Sequence, residues 1–509
     1  MPTRREFLKS SASAGMFLGC ATPAALGALA PQARSQAQVD PDLVRFTADV
    51  EPIVRLIEDT PREKCFDMMV EQLRCGLPYR NFLAALFLAG IRDVSPHPPG
   101  FKFHCVFAIH SANQLSLDAV SEDRLLPLFW ALDQFKKSQA DNARQGNFHM
   151  TELKGPLPSP EKAADEFHAA MAAWDEERAC RAVAAFVRSR GADEIIEALW
   201  RYGSRDFRSI GHKGIFVANS WRTLQTIGWR HAEPTMRSVV MALLDVGNSR
   251  QNTGGDFDDK DYLANVQRAK AALPRLPGTW TGAGHDDGAT RDLLDAMRTG
   301  SVADSSERVV KQLESGQTQA QGAWDAVHLA AGELIMRQPK IQGIHAVTST
   351  NALHYAFRTA ANPETRLLIL LHGVAWMVRF RESMKRDGFR PVRITELPAE
   401  SISGDEARGA TEVLELVGPD TPAAAARAFA LAKQHPEPDA YTKMARRLIF
   451  RKGTDAHHYK YAAAIFEDYG LVSPQWRPHM LATSVYYLRG SREPDSKLMT
   501  RAVESVRKV

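Results

Sequence analysis

The chain has 509 residues, of which 44% are hydrophobic and 24% are charged. This composition is typical of a folded globular protein with a large core. The net charge of +4 is small for this length, and Lys and Arg are scattered without a basic run, which argues against a nucleic-acid-binding protein.

Residues 1–37 predict a twin-arginine signal peptide. Arg4 and Arg5 precede Phe7, Leu8 and Lys9, and a modest apolar run rich in small residues follows. This order is typical of proteins that fold before the twin-arginine export machinery carries them across a membrane. The motif "SQA" at residues 35–37 is the predicted cleavage site.

The mature chain, residues 38–509, is therefore expected in the periplasm or elsewhere outside the cytoplasm. Cys20 in "FLGC" lies in a poor lipobox that leaves lipid attachment open as an alternative. No later apolar run is long enough for a transmembrane segment. The expected partners are the export machinery and a small-molecule substrate, with no nucleic acid.

The mature cysteines are predicted to be buried free thiols. Their spacing matches no zinc pattern, and Cys65 and Cys75 lie too far apart on a predicted helix to form a disulfide. The four are Cys65, Cys75, Cys105 and Cys180.

Helical periodicity dominates the chain. Apolar residues recur at i, i+3, i+4 and i+7 in "REKCFDMMVEQLRCG", "YRNFLAALFLAGI" and "EIIEALWRYG". Alternating apolar runs are nearly absent, so we expect an all-α fold in one large domain. Residues 248–290 are weakly apolar and predict a loop or insertion with room for one helix.

Two segments match without a gap at a separation of 129 residues. Gly214 falls on Gly343, and Pro234 falls on Pro363, within "GIFVANSWRTLQTIGWRHAEPTMRSVVMALL" and "GIHAVTSTNALHYAFRTAANPETRLLILL". A third copy begins near His104 and a fainter fourth near His457. The pattern predicts about four diverged multi-helix repeats, each with a helix, a corner and a second helix.

Three of these copies carry a histidine near the start of their first helix. They are His104, His345 and His457, and the second copy has His212 one helical turn before the equivalent position. If the copies pack around one axis, the imidazoles converge on one cavity, where they could bind metal, transfer protons or hold a polar substrate. The alternative is that each histidine hydrogen bonds to its own loop.

Three short motifs together resemble the questin oxidase-like family of helical enzymes. They are "HKGIFVANSWRTL", "IHAVTSTNA" and "GTDAHHYKYA", and the resemblance spans roughly residues 201–481. The chain departs from the family pattern at Asn219, where a second histidine is common. The matched residues are His212, Arg222, Leu224, His345, Ala346, Thr348, Asp455, His457, Lys460 and Tyr461.

The resemblance implies an oxidoreductase that oxygenates an aromatic or quinone-like ketone by Baeyer–Villiger-type chemistry, with molecular oxygen and NADPH. It implies a cavity lined by His212, His345, His457 and Lys460, in which a base and a hydrogen-bond donor assist the reaction. The residues themselves assign no cofactor and leave a bound metal open.

Two other readings remain open at this stage. The chain could be a helical-repeat scaffold without catalysis, which predicts histidines scattered among separate loops. It could also be a His-ligated metal enzyme of unrelated chemistry. "DAVH" at 325–328 and the pair His457–His458 have possible ligand spacing, although each is expected at the surface or in the core.

Overall fold

The computed structural model describes residues 42–246, 257–385, 388–398, 400–402 and 404–508. The predicted signal peptide therefore lies outside the described residues. Residues from Val44 onward form one compact body. It contains 22 α-helices and no β-strand longer than an isolated bridge within the described ranges, so the all-α prediction is confirmed.

The first half of the body contains ten helices. They are α1 (Glu51–Asp59), α2 (Cys65–Arg74), α3 (Tyr79–Asp93), α4 (His104–Leu117), α5 (Leu126–Arg144), α6 (Ala163–Ala173), α7 (Glu176–Ser189), α8 (Ala192–Gly203), α9 (His212–Ile227) and α10 (Ala232–Leu243).

The second half contains twelve. They are α11 (Phe257–Ala272), α12 (Asp287–Thr299), α13 (Val302–Glu314), α14 (Ala320–Arg337), α15 (Ile341–Thr359), α16 (Pro363–Met384), α17 (Glu406–Leu416), α18 (Thr421–Gln434), α19 (Asp439–Lys452), α20 (Ala456–Leu471), α21 (Arg477–Ser484) and α22 (Lys497–Val506).

Four buried helices form the centre of the molecule. α4, α9, α15 and α20 pack in a closed ring in that order, and the other helices surround them. Residues in the first turns of neighbouring helices contact each other. Residues two to three turns later also contact each other, as Arg222 does with Asn351 and Glu467. The four helices therefore run in the same direction. All four are apolar or small on most faces, as expected for helices covered on every side.

Each central helix is followed by a second helix after a short connection, as the matched segments predict. The second helices are α5, α10, α16 and α21. Pro363 is the first residue of α16, where its missing N–H breaks no hydrogen bond, and Pro234 lies in the first turn of α10. The number of repeats stays a prediction, because the later helices differ in number between units.

The predicted insertion at 248–290 contains α11, and α12 begins at Asp287. The four cysteines of the described residues, Cys65, Cys75, Cys105 and Cys180, are free thiols, and three are buried as predicted. Cys75 is exposed, because it caps the C-terminus of α2 rather than facing the core. No helix in the described part of the chain combines the length and apolar character needed to cross a membrane.

Candidate functional site

The histidines lie at the starts of the central helices for local reasons. His104 begins α4 directly after a 3₁₀ turn, and His457 is the second residue of α20, whose N-cap Asp455 accepts a hydrogen bond from the His457 N–H at 2.7 Å. His212 begins α9 after Gly211, which has a φ of +88°. A Cβ at Gly211 would lie 2.6 Å from the Ser349 Cβ, so only glycine allows α9 to approach α15 this closely.

The four imidazoles form a closed ring, which we call the histidine ring. Going around it, the ring centroids of His104 and His212 are 5.0 Å apart, and those of His212 and His345 are 4.2 Å apart. The separations from His345 to His457 and from His457 to His104 are 5.4 Å and 4.7 Å. Side chains from four distant parts of the chain therefore share one small volume.

Outer hydrogen bonds orient two of these rings. Nδ1 of His212 lies 2.8 Å from the Ser209 carbonyl oxygen, and Nδ1 of His457 lies 3.2 Å from the Asp455 carboxylate. Since both partners are acceptors, each Nδ1 carries the proton and each Nε2 keeps its lone pair. This arrangement is typical of metal-ligating histidines, whose second nitrogen donates to a carbonyl or carboxylate.

The inner nitrogens of the histidine ring are only partly paired. Nε2 of His212 and Nε2 of His104 are hydrogen-bonded to each other at 3.0 Å. Within the described residues, neither nitrogen of His345 has a hydrogen-bond partner, although the residue is fully buried, and Nε2 of His457 is also buried without one. Buried polar atoms are normally paired. A ligand at the centre of the histidine ring would satisfy these atoms.

Lys460 lies next to this ring, one helical turn after His457. The side chain is buried, and Nζ lies 5.8 Å from the centre of the Phe107 ring and has no hydrogen-bond partner in the part of the chain that the structure describes. Burial lowers the pKa of Lys460 to about 7, with only a partial counter-effect from Asp455. A substantial fraction of the amine is therefore neutral near pH 7.

The histidines are neutral as well. Burial, together with the positive charge of Lys460, lowers the pKa of His104 and of His212 well below the usual value. Burial, His212 and Lys460 do the same to the pKa of His345. The pKa of His457 is also lowered by burial and Lys460, although Asp455 opposes this change. Neutral imidazoles have the lone pairs that a metal ion requires.

Three of the histidines have the spacing of a metal site. One ligand nitrogen from each of His104, His212 and His345 lies within 4.8 Å of the others. His457 stands on the fourth side, beside His104 and His345. An all-imidazole set suits Zn²⁺, Cu²⁺, Fe²⁺ or Ni²⁺ rather than Mg²⁺ or Ca²⁺, which prefer oxygen.

A polar cavity continues from Lys460 between the central helices. Its lining includes His110, Asn219, Arg222, Asn351 and Lys460. Nδ1 of His110 is buried and has no partner among the described residues, and the Arg222 guanidinium donates to Glu467 at 2.8 Å. The sequence motifs pointed to Arg222 but not to His110 or Glu467. No spacing rule links those two residues to the histidines, because they meet only through helix packing.

The structure brings together all five residues proposed from the sequence. His104, His212, His345, His457 and Lys460 are all at the site. The other candidate histidines lie elsewhere in the core.

His328 of "DAVH" bonds to His354 at 2.8 Å, and the adjacent His458 stacks on Tyr487. Both are buried, as expected for core positions. Neither His328 nor His458 belongs to the histidine ring. The ligand-like spacing within "DAVH" and in the His457–His458 pair therefore does not bring both residues of either motif to the candidate site.

These features define an all-α protein with a buried polyhistidine centre built from four parallel helices. No family model matches the chain, and comparison with curated proteins and with solved structures finds no match. The questin oxidase-like resemblance therefore depends on the three motifs alone.

Proposed function

We propose that the chain is an oxidoreductase of the questin oxidase-like class, which oxygenates an aromatic or quinone-like ketone next to the histidine ring. We propose further that His104, His212 and His345 hold a transition metal there. The observation that carries the proposal is the closed ring of four buried imidazoles, in which both nitrogens of His345 and Nε2 of His457 lack hydrogen-bond partners among the described residues.

The donor set fits a metal that takes part in oxidation. Iron and copper accept imidazole ligands, and such a metal would supply electron transfer to oxygen and polarise a bound oxygen atom. Asp455 and the Ser209 carbonyl fix the tautomers of His457 and His212, and so keep their Nε2 lone pairs directed inward. The apolar packing around the ring excludes bulk water and strengthens electrostatic interactions inside.

Lys460 supplies proton transfer. Because its pKa lies near 7, neutral Nζ accepts a proton from a substrate hydroxyl and the resulting ammonium donates a hydrogen bond to oxygen. Phe107 closes one side of the amine and leaves it facing the histidines and the polar cavity. Deprotonation makes a phenolic substrate electron-rich, which favours its reaction with oxygen with or without a metal.

The rival scaffold reading has less support. It predicts histidines scattered among separate loops, whereas these four rings lie within hydrogen-bond or van der Waals range of their neighbours. A scaffold also gains nothing from an unpaired buried lysine, which costs stability. The histidine ring is equally compatible with a metal enzyme that catalyses another reaction. The identity of the bound metal distinguishes that enzyme from an oxygenase.

Metal analysis tests the proposal with a matched pair on one helix. His345→Gln and His354→Gln each replace a buried histidine of α15, but only His345 belongs to the histidine ring. We expect wild type and His354→Gln to contain about one iron or copper ion per chain, and His345→Gln to lose most of it. Equal metal content in both variants would refute the site.

Oxygen uptake with 1,8-dihydroxyanthraquinone and related ketones, with NADPH supplied as the two-electron reductant, tests the reaction, because one atom of O2 enters the ketone and the other leaves as water. We expect uptake with wild type and His354→Gln, and at least a hundredfold loss with His345→Gln. A protein that binds redox-inactive zinc and consumes no oxygen with any of these compounds would contradict the oxygenase and favour the other metal enzyme.

A further inference from the structure

Another cavity lies outside the four central helices and opens at the surface. It has a volume of about 290 Å³ and is lined by α7, by α10 and by the segment 148–154. None of its lining residues belongs to the histidine ring or to the polar cavity beside Lys460. A ligand bound there is therefore independent of the reaction proposed above.

Arg237 of α10 is buried at this cavity with one partner. The residue is 6% exposed, and its guanidinium donates a hydrogen bond to the Thr151 carbonyl oxygen at 2.7 Å. Nε is buried and makes no hydrogen bond to a described residue. Burial lowers the pKa of Arg237, and the surrounding charges offset this only in part. The guanidinium is nevertheless charged at pH 7, as arginine is throughout the physiological range.

The other buried arginines of the described chain each have a compensating partner. Arg92 and Arg222 each have a carboxylate at 2.8 Å, and Arg381 has one at 3.6 Å. Arg205 instead lies 3.8 Å above the centre of a tryptophan ring. Arg237 forms neither an ion pair nor a contact of this kind with any described residue. Because an unpaired buried charge is costly, an anion in the cavity would stabilise it.

The acidic residues of the cavity are engaged elsewhere. Three glutamates line it, and each has its own partner. The pairs are Glu176 with His97 at 2.8 Å, Glu177 with Arg181, and Glu152 with the Arg45 N–H at 3.2 Å. Cys180 also lines the cavity, but burial raises the pKa of its thiol to about 12, so it adds no negative charge at pH 7.

Apolar side chains complete the lining. Phe148, Leu153 and Met241 are half-buried there. Ligand sites of this kind combine apolar walls with a few polar groups that fix the orientation, and this cavity is at the small end of their size range. The lining fits a small organic molecule with one negative charge at Arg237. The three glutamates disfavour a multiply charged anion such as phosphate.

We propose that this cavity binds a small organic monocarboxylate, whose carboxylate pairs with the Arg237 guanidinium and whose apolar body lies against Leu153 and Met241. Binding gives Arg237 the charged partner that the described chain does not supply, through charge-assisted hydrogen bonds. It also removes the half-buried apolar side chains from water.

Isothermal titration calorimetry of the mature protein with hexanoate and with hexanamide, at pH 7, tests the inference. The two probes have similar size, but only hexanoate is charged. We expect hexanoate to bind with a Kd of about 1 mM or lower, and hexanamide to bind at least about tenfold more weakly. Inorganic phosphate at the same concentration should not displace hexanoate.

A pair of arginine variants tests the role of Arg237. Arg237→Met replaces the charge with an apolar chain and should weaken hexanoate binding at least about tenfold, while hexanamide binding stays unchanged. Arg188→Met is the matched control, because Arg188 is an exposed arginine of α7 that pairs with Glu233 and does not line the cavity. It should bind hexanoate as wild type does.

Leu153→Trp tests the cavity itself and leaves the charge in place. Leu153 is half-buried in the loop between α5 and α6, so the larger side chain can enter the cavity without disturbing a helix. We expect hexanoate binding to weaken at least about tenfold, and this test stands even if Arg237→Met does not fold.

Four results would overturn the inference. They are undetectable binding of hexanoate to wild type, equal binding of hexanoate and hexanamide, wild-type affinity in folded Arg237→Met or in Leu153→Trp, and displacement of hexanoate by phosphate. Each is measured as binding alone, so none depends on whether the protein consumes oxygen.

Discussion

The guanidinium of Arg222 in α9 joins three of the four central helices. It donates to the Asn351 side-chain oxygen in α15 at 3.0 Å, and to both carboxylate oxygens of Glu467 in α20 at 2.8 Å. Asn351 in turn donates to Glu467 at 3.0 Å and to buried Asp468 at 2.8 Å. This network fixes the positions of α9, α15 and α20 about two turns beyond the histidine ring.

Replacing Arg222 with Met should lower the free energy of unfolding by about 2 kcal/mol. The loss is smaller than for breaking a fully buried ion pair, because Glu467 is partly exposed to water. Arg222→Lys should lose about half as much, since an ammonium restores the charge but not the fork of hydrogen bonds. Arg230→Met removes an exposed ion pair with Asp49 and should cost at most about 1 kcal/mol. Urea unfolding measures the stability of all three variants. Equal losses for Arg222→Met and Arg230→Met would show that the Arg222 network does not hold α9, α15 and α20 together.

Lys460→Met should stabilise the metal-free protein. The pKa of Lys460 falls from 10.5 unfolded to about 7 folded, so the unfolded chain binds more protons between these values. The resulting penalty is absent above pH 10.5 and complete below pH 7, where it reaches about 5 kcal/mol. Met fills a similar volume without a charge.

We therefore expect the stability gain of Lys460→Met at pH 7 to be about 1–4 kcal/mol, shrinking as the pH rises towards 10. Unfolding in urea at several pH values, after removal of metal with a chelator, gives the comparison. A destabilised Lys460→Met protein would mean that the amine has a partner in the folded state.

His372 should make the protein less stable in mild acid. Burial lowers its pKa to about 3, and Nε2 makes no hydrogen bond to any described residue. Between pH 6.5 and pH 3 the unfolded chain holds a proton that the folded chain does not. Stability from this residue is therefore complete above pH 6.5 and falls by about 1.4 kcal/mol per pH unit below it.

His372→Phe keeps an aromatic ring stacked on Tyr262 and removes the titrating nitrogen. The difference in unfolding free energy between wild type and variant should change by about 1.4 kcal/mol for each pH unit between 6 and 4. If the stability of both proteins changes equally with pH, the folded protein binds a proton at His372 as well as the unfolded chain does, and the prediction is wrong.

Replacing both Arg4 and Arg5 with Lys should block export. The expectation comes from the sequence, because residues 1–41 lie outside the described structure. Lysine keeps the charge but not the planar fork of the guanidinium, so a receptor that reads paired arginines loses its contacts. Cell fractionation should find the uncleaved precursor in the cytoplasm, and mature protein outside the cytoplasm at wild-type levels would exclude this route.

Periodicity predicted the helices well, because α2 and α8 each bury one recurring apolar stripe, whereas α3 is buried on every face over most of its length. The matched segments also predicted that histidines from distant helices would lie near the starts of those helices. Arg222 and Asn351 occupy equivalent positions in the two segments, 129 residues apart, and they contact each other directly. Contact between equivalent positions is what packing of similar units around one axis would produce.

Other parts of the site could not be read from the sequence. His110 and Glu467 have no motif, and their roles depend on how closely α4, α9 and α20 approach one another.

The parallel arrangement of the four central helices has a consequence for assembly. The histidines of the ring come from both halves of the chain, from His104 to His457, so the ring is complete only when all four helices have folded. If the ring holds a metal as proposed, loading must follow completion of the fold, and the compartment in which folding finishes determines which ions compete for the ligands. Export in the folded state would make the cytoplasmic metal supply, not the external one, decide what the protein carries.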